Sequence, residues 1–91
     1  MSMILPKLYV KAGCPWCDEA LSYFENKKID LTIIEVRNDP NKMNDLIRIS
    51  GQSKTPTLQN GDFVVADFDV GELEEALKTH PDEAKKLGIE L

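Results

Sequence analysis

The feature that most constrains this chain is Gly13-Cys14-Pro15-Trp16-Cys17, which separates two stretches of opposite character. Ahead of it, Leu8-Tyr9-Val10 is a short apolar run of the kind that forms a buried strand. Behind it, Cys17, Ala20, Leu21 and Phe24 recur at three- and four-residue steps, the stripe of an amphipathic helix. Pro15 suits the first helical position, because the N–H it lacks would have no helical partner there and its φ is already helical. A strand must therefore hand over to a helix at Cys14, and that helix should fade near Asn26 to Lys28.

The remaining segments alternate in the same way. Leu31 to Val36 is rich in β-branched residues and reads as a second strand. Asn38-Asp39-Pro40 opens a second helix carrying Met43, Leu46, Ile47 and Ser50, with Gly51 as its stop. Thr57 to Gln59 and Phe63 to Ala66 read as strands flanking Asn60-Gly61, a strong hairpin signal. Val70, Leu73, Ala76 and Leu77 mark a third helix, and Asp82 to Leu87, after His80-Pro81, a short terminal one. The predicted order is β-α-β-α-β-β-α in a single domain spanning residues 1–91. The first crossover should be parallel and right-handed, with the hairpin antiparallel in the same sheet. A mixed sheet with helices on both faces is an α/β, thioredoxin-like architecture. Tyr9, Phe24, Phe63 and Leu77 are core candidates.

Composition narrows the function classes. No apolar run approaches the ~20 residues of a membrane span. The start, Met1-Ser2-Met3-Ile4-Leu5-Pro6, has no basic region, long apolar stretch or small-residue cleavage site, so a cytoplasmic protein is expected. The net charge is -5, and basic residues cluster only as the pairs Lys27-Lys28 and Lys85-Lys86, which argues against nucleic acid or anionic lipid as a partner. The two cysteines are too close in sequence to be a disulfide scaffold. The one histidine, His80, leaves a zinc set a ligand short, so no metal is expected.

Thiol–disulfide exchange needs a thiolate, and an ordinary cysteine, with pKa about 8.5, is mostly protonated at neutral pH. Cys14, at the strand–helix junction, meets unpaired N–H groups and the positive helix end, with Lys11 as a nearby cation. Cys17 lies one turn inside the helix and should be more buried. Position therefore makes Cys14 the attacking nucleophile and Cys17 the resolving thiol. The bland alternatives are two inert core cysteines or half of a metal site shared between chains. Trp16 offers a flat apolar edge for docking a substrate or for packing. Pro56, in Lys54-Thr55-Pro56-Thr57, is either an ordinary strand-start proline or a cis residue that exposes the Thr55 backbone. Arg37 reads as a surface residue or as a carboxylate binder beside the site, and His80 as a helix-end residue. Asp18-Glu19 suits the helix start while slightly opposing a thiolate, and Glu72, Glu74 and Glu75 mark a solvated helix face.

These motifs resemble those of the glutaredoxin family over most of the chain. Lys11-Ala12-Gly13-Cys14-Pro15-Trp16-Cys17 is similar to the family's Lys-x-x-Cys-Pro-Tyr-Cys, with tryptophan for tyrosine. Ser50-Gly51-Gln52-Ser53-Lys54-Thr55-Pro56 is similar to its Thr-Gly-Gln-x-Thr-Val-Pro segment, whose proline is cis. The resemblance implies that the Thr55 backbone, beside Pro56, pairs with the cysteine part of glutathione and that Lys11 contacts a glutathione carboxylate. The family's Gly-Gly-x-(Asp/Ser/Thr)-Asp segment, which holds the γ-glutamyl end, corresponds to Ala66-Asp67-Phe68-Asp69-Val70. Both glycines are missing there and the closing aspartate falls on Val70. Asp69 would offer a carboxylate to the γ-glutamyl amine, while Asp67 sets a negative charge beside a ligand that already carries two carboxylates. The segment from Ala66 to Leu73 is also loosely similar to the NrdH-redoxins, which take electrons from thioredoxin reductase. The implied function is a monomeric thiol–disulfide oxidoreductase acting on small-molecule or protein disulfides, with glutathione or thioredoxin reductase as donor. An iron–sulfur cluster module assisted by glutathione and a non-catalytic interaction domain are the competing readings.

Overall fold

A computed structural model describes residues 5–90, so the Met1–Ile4 part of the leader reading lies outside the described residues. The element order is β1 (Lys7–Val10), α1 (Pro15–Asn26), β2 (Thr32–Glu35), α2 (Pro40–Ser50), β3 (Thr57–Asn60), β4 (Phe63–Val65), α3 (Val70–Thr79) and α4 (Pro81–Leu87). The strands form one sheet in the order β2-β1-β3-β4. β1 runs parallel to β2, with Leu8 opposite Ile33, and antiparallel to β3, with Leu8 opposite Leu58. β3 and β4 form the antiparallel hairpin.

Strand alternation divides the core in two. Leu8, Val10 and Leu58 pack with Cys17, Ala20 and Phe24 of α1, Leu73 and Leu77 of α3, and Ala84 and Leu87 of α4. Tyr9 points the other way, to Val36 just after β2 and to Leu46 of α2. Helices therefore cover both faces. At about 1.5–3 kcal/mol for each fully buried large side chain, the α1/α3 face contributes more of the stability.

Helix starts follow the local chemistry. Pro15, Pro40 and Pro81 each open a helix. Asp39 caps α2 by accepting from the N–H groups of Asn41 and Lys42. Gly51 ends α2 at φ 73°, a left-handed position that a Cβ disfavours.

Small departures from the expected boundaries have physical reasons. Asn60 pairs with Phe63, so the hairpin loop is Gly61-Asp62 rather than Asn60-Gly61. β2 is shorter than Leu31 to Val36, although the Val36 N–H still donates to the Val10 carbonyl at 3.0 Å. Phe63 is half-buried, packed on the core edge beside the His80 ring. Among the described residues no helix is long and apolar enough to cross a membrane.

Candidate active site

The C-terminal end of β1 delivers the chain into a tight turn, closed by the Cys14 N–H donating to the Lys11 carbonyl at 3.2 Å. Gly13 occupies this turn at φ 81°, which favours a residue without Cβ. Cys14 is the N-cap of α1, with extended backbone and no side-chain cap bond. The first-turn N–H groups thus have no oxygen partner from the cap and lie open to a sulfur.

The two thiols occupy different surroundings. Cys14 is half-buried and Cys17 is 1 % exposed. Desolvation pushes the Cys14 thiol up, but hydrogen bonds from the Cys17 side chain and N–H, from the Thr55 side chain and from the Trp16 N–H outweigh it and hold it below the ordinary thiol value. Burial pushes Cys17 up. Hydrogen bonds from Thr55 and the Lys11 backbone offset part of that rise, and the neighbouring Cys14 adds to it. The ammonium of Lys11, expected to help Cys14, is not among the causes; Lys11 acts here through its backbone.

The Thr55–Pro56 bond is cis, and both residues are buried. The Cys14 thiol donates to the Thr55 carbonyl at 4.0 Å, which brings together residues 41 apart in sequence. The following loop docks on the same turn, with the Phe68 N–H donating to the Pro56 carbonyl at 3.2 Å. Trp16 is 56 % exposed and lines a 220 Å³ groove with Asp67, Phe68, Asp69 and Glu72. Lys11, Trp16, Thr55 and Pro56 therefore belong to one neighbourhood around Cys14 or its adjoining groove.

Asp69 has a structural task. Its Oδ1 accepts the Glu72 N–H at 2.7 Å while Glu72 Oε1 accepts the Asp69 N–H at 3.0 Å, a capping box at the start of α3. Asp67 takes φ 51°, a left-handed conformation that aspartate tolerates and that fits a position where the resembling family carries glycine. Its carboxylate lies 4.0 Å from the exposed Lys54 ammonium.

Four residues, Arg37, Glu35, Gln52 and Thr57, have bonds that the sequence did not disclose. Arg37 is exposed, but its Nε donates to the Ala12 carbonyl at 2.9 Å and braces the turn ahead of Cys14. The Glu35 carboxylate takes the Arg37 N–H, fixing the start of that bridge. Gln52 and Thr57 bond to each other behind the Thr55–Pro56 turn. His80 caps the end of α3, its Nδ1 3.0 Å from the Ala76 carbonyl. Among the described residues no group of three or more His, Cys, Asp or Glu side chains is arranged to hold a metal ion.

The glutaredoxin family model matches residues 7–64, from β1 through the hairpin and including both cysteines. This chain belongs to the glutaredoxin family. A glutaredoxin-like 8.6 kDa protein of the rubredoxin operon of Clostridium pasteurianum, itself uncharacterised, is 25% identical over 72 residues, 79% of this chain and 96% of that protein. The glutaredoxin of Archaeoglobus fulgidus superposes with a TM-score of 0.69 at 21% identity, over 84% of this chain and 88% of the other. The buckwheat glutaredoxin, solved in complex with glutathione, gives 0.69 at 18% identity, over 93% and 81%. At these identities the two structures speak for the thioredoxin-like fold. Glutaredoxin membership on that fold supports a thiol–disulfide oxidoreductase-like role.

Proposed function

We propose that this glutaredoxin, acting as a monomeric single domain, reduces small-molecule or protein disulfides through a dithiol cycle of Cys14 and Cys17. The observation that carries the reading is the asymmetry of the pair. A half-exposed thiol held below its ordinary value stands one helical turn from a buried thiol held above it. The Cys14 thiolate attacks one sulfur of the substrate disulfide, forming a mixed disulfide and expelling the other sulfur as a thiolate that takes up a proton. Cys17 then loses its proton and attacks the Cys14 sulfur, expelling the second substrate thiolate. Two electrons have left the protein, which now carries a Cys14–Cys17 disulfide.

Regeneration requires a thiol donor, glutathione or thioredoxin reductase, in a compartment such as the cytoplasm where thiols stay reduced. In this reading the Thr55 backbone and Pro56 flank the incoming sulfur, and Lys11 and Trp16 border its approach. Lys11 and the Thr55–Pro56 turn suit the cysteinyl and one carboxylate part of glutathione. The γ-glutamyl end fits less well, since Asp67 adds a carboxylate to the lining of the groove and Asp69 has one oxygen engaged in its cap.

The test follows NADPH consumption during reduction of a model disulfide, once with glutathione and glutathione reductase, once with thioredoxin reductase. Wild-type protein should turn over in at least one system, and Cys14→Ser in neither. Cys17→Ser should accumulate the mixed disulfide. Full activity of Cys14→Ser would overturn the assignment.

A further inference from the structure

Thr57 is 0 % exposed, and its hydroxyl has three partners, two from the loop after α2 and one from the loop ahead of α3. It donates to the Lys54 carbonyl at 2.9 Å, accepts from Gln52 Nε2 at 3.2 Å, and accepts from the Asp67 N–H at 3.3 Å. Gln52 extends the connection, donating also to Ser50 Oγ at 3.0 Å and accepting the Lys54 N–H. Ser50 in turn donates to the Leu46 carbonyl at 2.6 Å in the last turn of α2. One hydroxyl, with its donor and both acceptor sites in use, joins the end of α2, the 54–56 turn and the loop that enters α3.

A β-branched residue would serve the strand equally well as valine, so the hydroxyl needs another explanation. The segments it joins border the site: the Thr55 carbonyl accepts from the Cys14 thiol, and Asp67 and Phe68 line the groove beside Trp16. We infer that Thr57 is a positioning residue, whose buried hydroxyl locks the Thr55 turn and the Asp67 loop in register with Cys14. The inference deepens the proposed function and rests on Cys14 as the working thiol, but Cys14 ionisation can be read without any turnover.

Against the desolvation of Cys14, the groups that favour its anion are Cys17 and the Trp16 N–H from its own helix start and the Thr55 side chain from the turn, with no charged side chain among them. Loosening the Thr55 turn should therefore be visible there. The experiment is the pH dependence of Cys14 alkylation by iodoacetamide in the reduced full-length protein, followed on the Cys14-bearing peptide by mass spectrometry. Denaturant midpoints are measured on the same samples. Thr57→Val keeps the shape and removes the hydroxyl; its alkylation midpoint should rise, by up to about one pH unit, the scale on which the Thr55 side chain's hydrogen bond to the ionised sulfur would be lost altogether. Thr57→Ser keeps the hydroxyl and should retain the wild-type midpoint even though the lost methyl lowers its stability. Should Thr57→Val not fold, Gln52→Leu, at a half-buried position, should shift the midpoint in the same direction by a smaller amount. An unmoved Cys14 profile in a folded Thr57→Val, or in Gln52→Leu where that substitutes for it, would overturn the inference. So would equal shifts in the serine and valine variants.

Discussion

Cys14 and Cys17 have the same side chain, and only their surroundings separate them. A thiol reacts as its anion, so a group held below the ordinary value becomes reactive at lower pH, and one held above it becomes reactive later. For Cys14, desolvation works against the anion but four hydrogen-bonding contributions overcome it; for Cys17, burial prevails. In the reduced protein, Cys14 alkylation should therefore reach half-maximal rate at a lower pH than Cys17 alkylation. Peptide mapping after brief iodoacetamide exposure across a pH series checks both. Equal midpoints would remove the basis for assigning attack to one sulfur and resolution to the other. The helix-start N–H groups expected from the sequence do favour the anion, joined by the side chains of Cys17 and Thr55, while the Lys11 charge does not contribute.

At the scale of elements, the start of α3 rests on a reciprocal pair, Asp69 to the Glu72 N–H and Glu72 back to the Asp69 N–H. Asp69→Ala should lower unfolding stability by about 1 kcal/mol, and Asp69→Asn by less, because asparagine also caps well. Chemical denaturation with a shared m-value measures this. If the two variants lost equal stability, the cap would not be the cause. The same residue shows where sequence reading reached its limit. Asp69-x-x-Glu72 forms its cap within one helical turn, whereas the ligand role that the family resemblance implies for Asp69 depends on groups from other parts of the chain. Periodicity, prolines at first helical positions, Asp39-Pro40 and Gly51 made the element order legible, because each acts within a few residues of itself. The Arg37 bond to Ala12 spans 25 residues, and the Thr57 bond to Asp67 spans 10. Neither leaves a local pattern, since an exposed arginine and a threonine in a strand are ordinary at such positions.

For the whole molecule, the net charge of -5 acts together with the placement of Asp67, Asp69 and Glu72 around the groove beside Trp16. The opposing positive charge is limited. Lys54 is exposed and 4.0 Å from Asp67, a pair that water and salt screen, and the α3 N-terminus contributes only a partial charge. A disulfide approaching Cys14 along this groove therefore meets a negative field, and a field of this kind changes encounter rates more than the chemistry itself. At roughly 0.01 M ionic strength the screening length is about 30 Å, comparable with the molecule, and at 1 M it falls to about 3 Å. A small disulfide with two ammonium groups should then be reduced roughly tenfold faster than one with two carboxylates at the lower salt. The ratio should decline steadily as salt is added. Measuring both substrates with the same donor across that range separates steering from intrinsic reactivity, because only steering depends on salt. A ratio unaffected by salt, or one favouring the dicarboxylate at low salt, would show that the acidic groove lies off the substrate's path. Oxidised glutathione carries net negative charge, so a declining ratio would mean that this surface slows its approach and favours disulfides flanked by lysine or arginine.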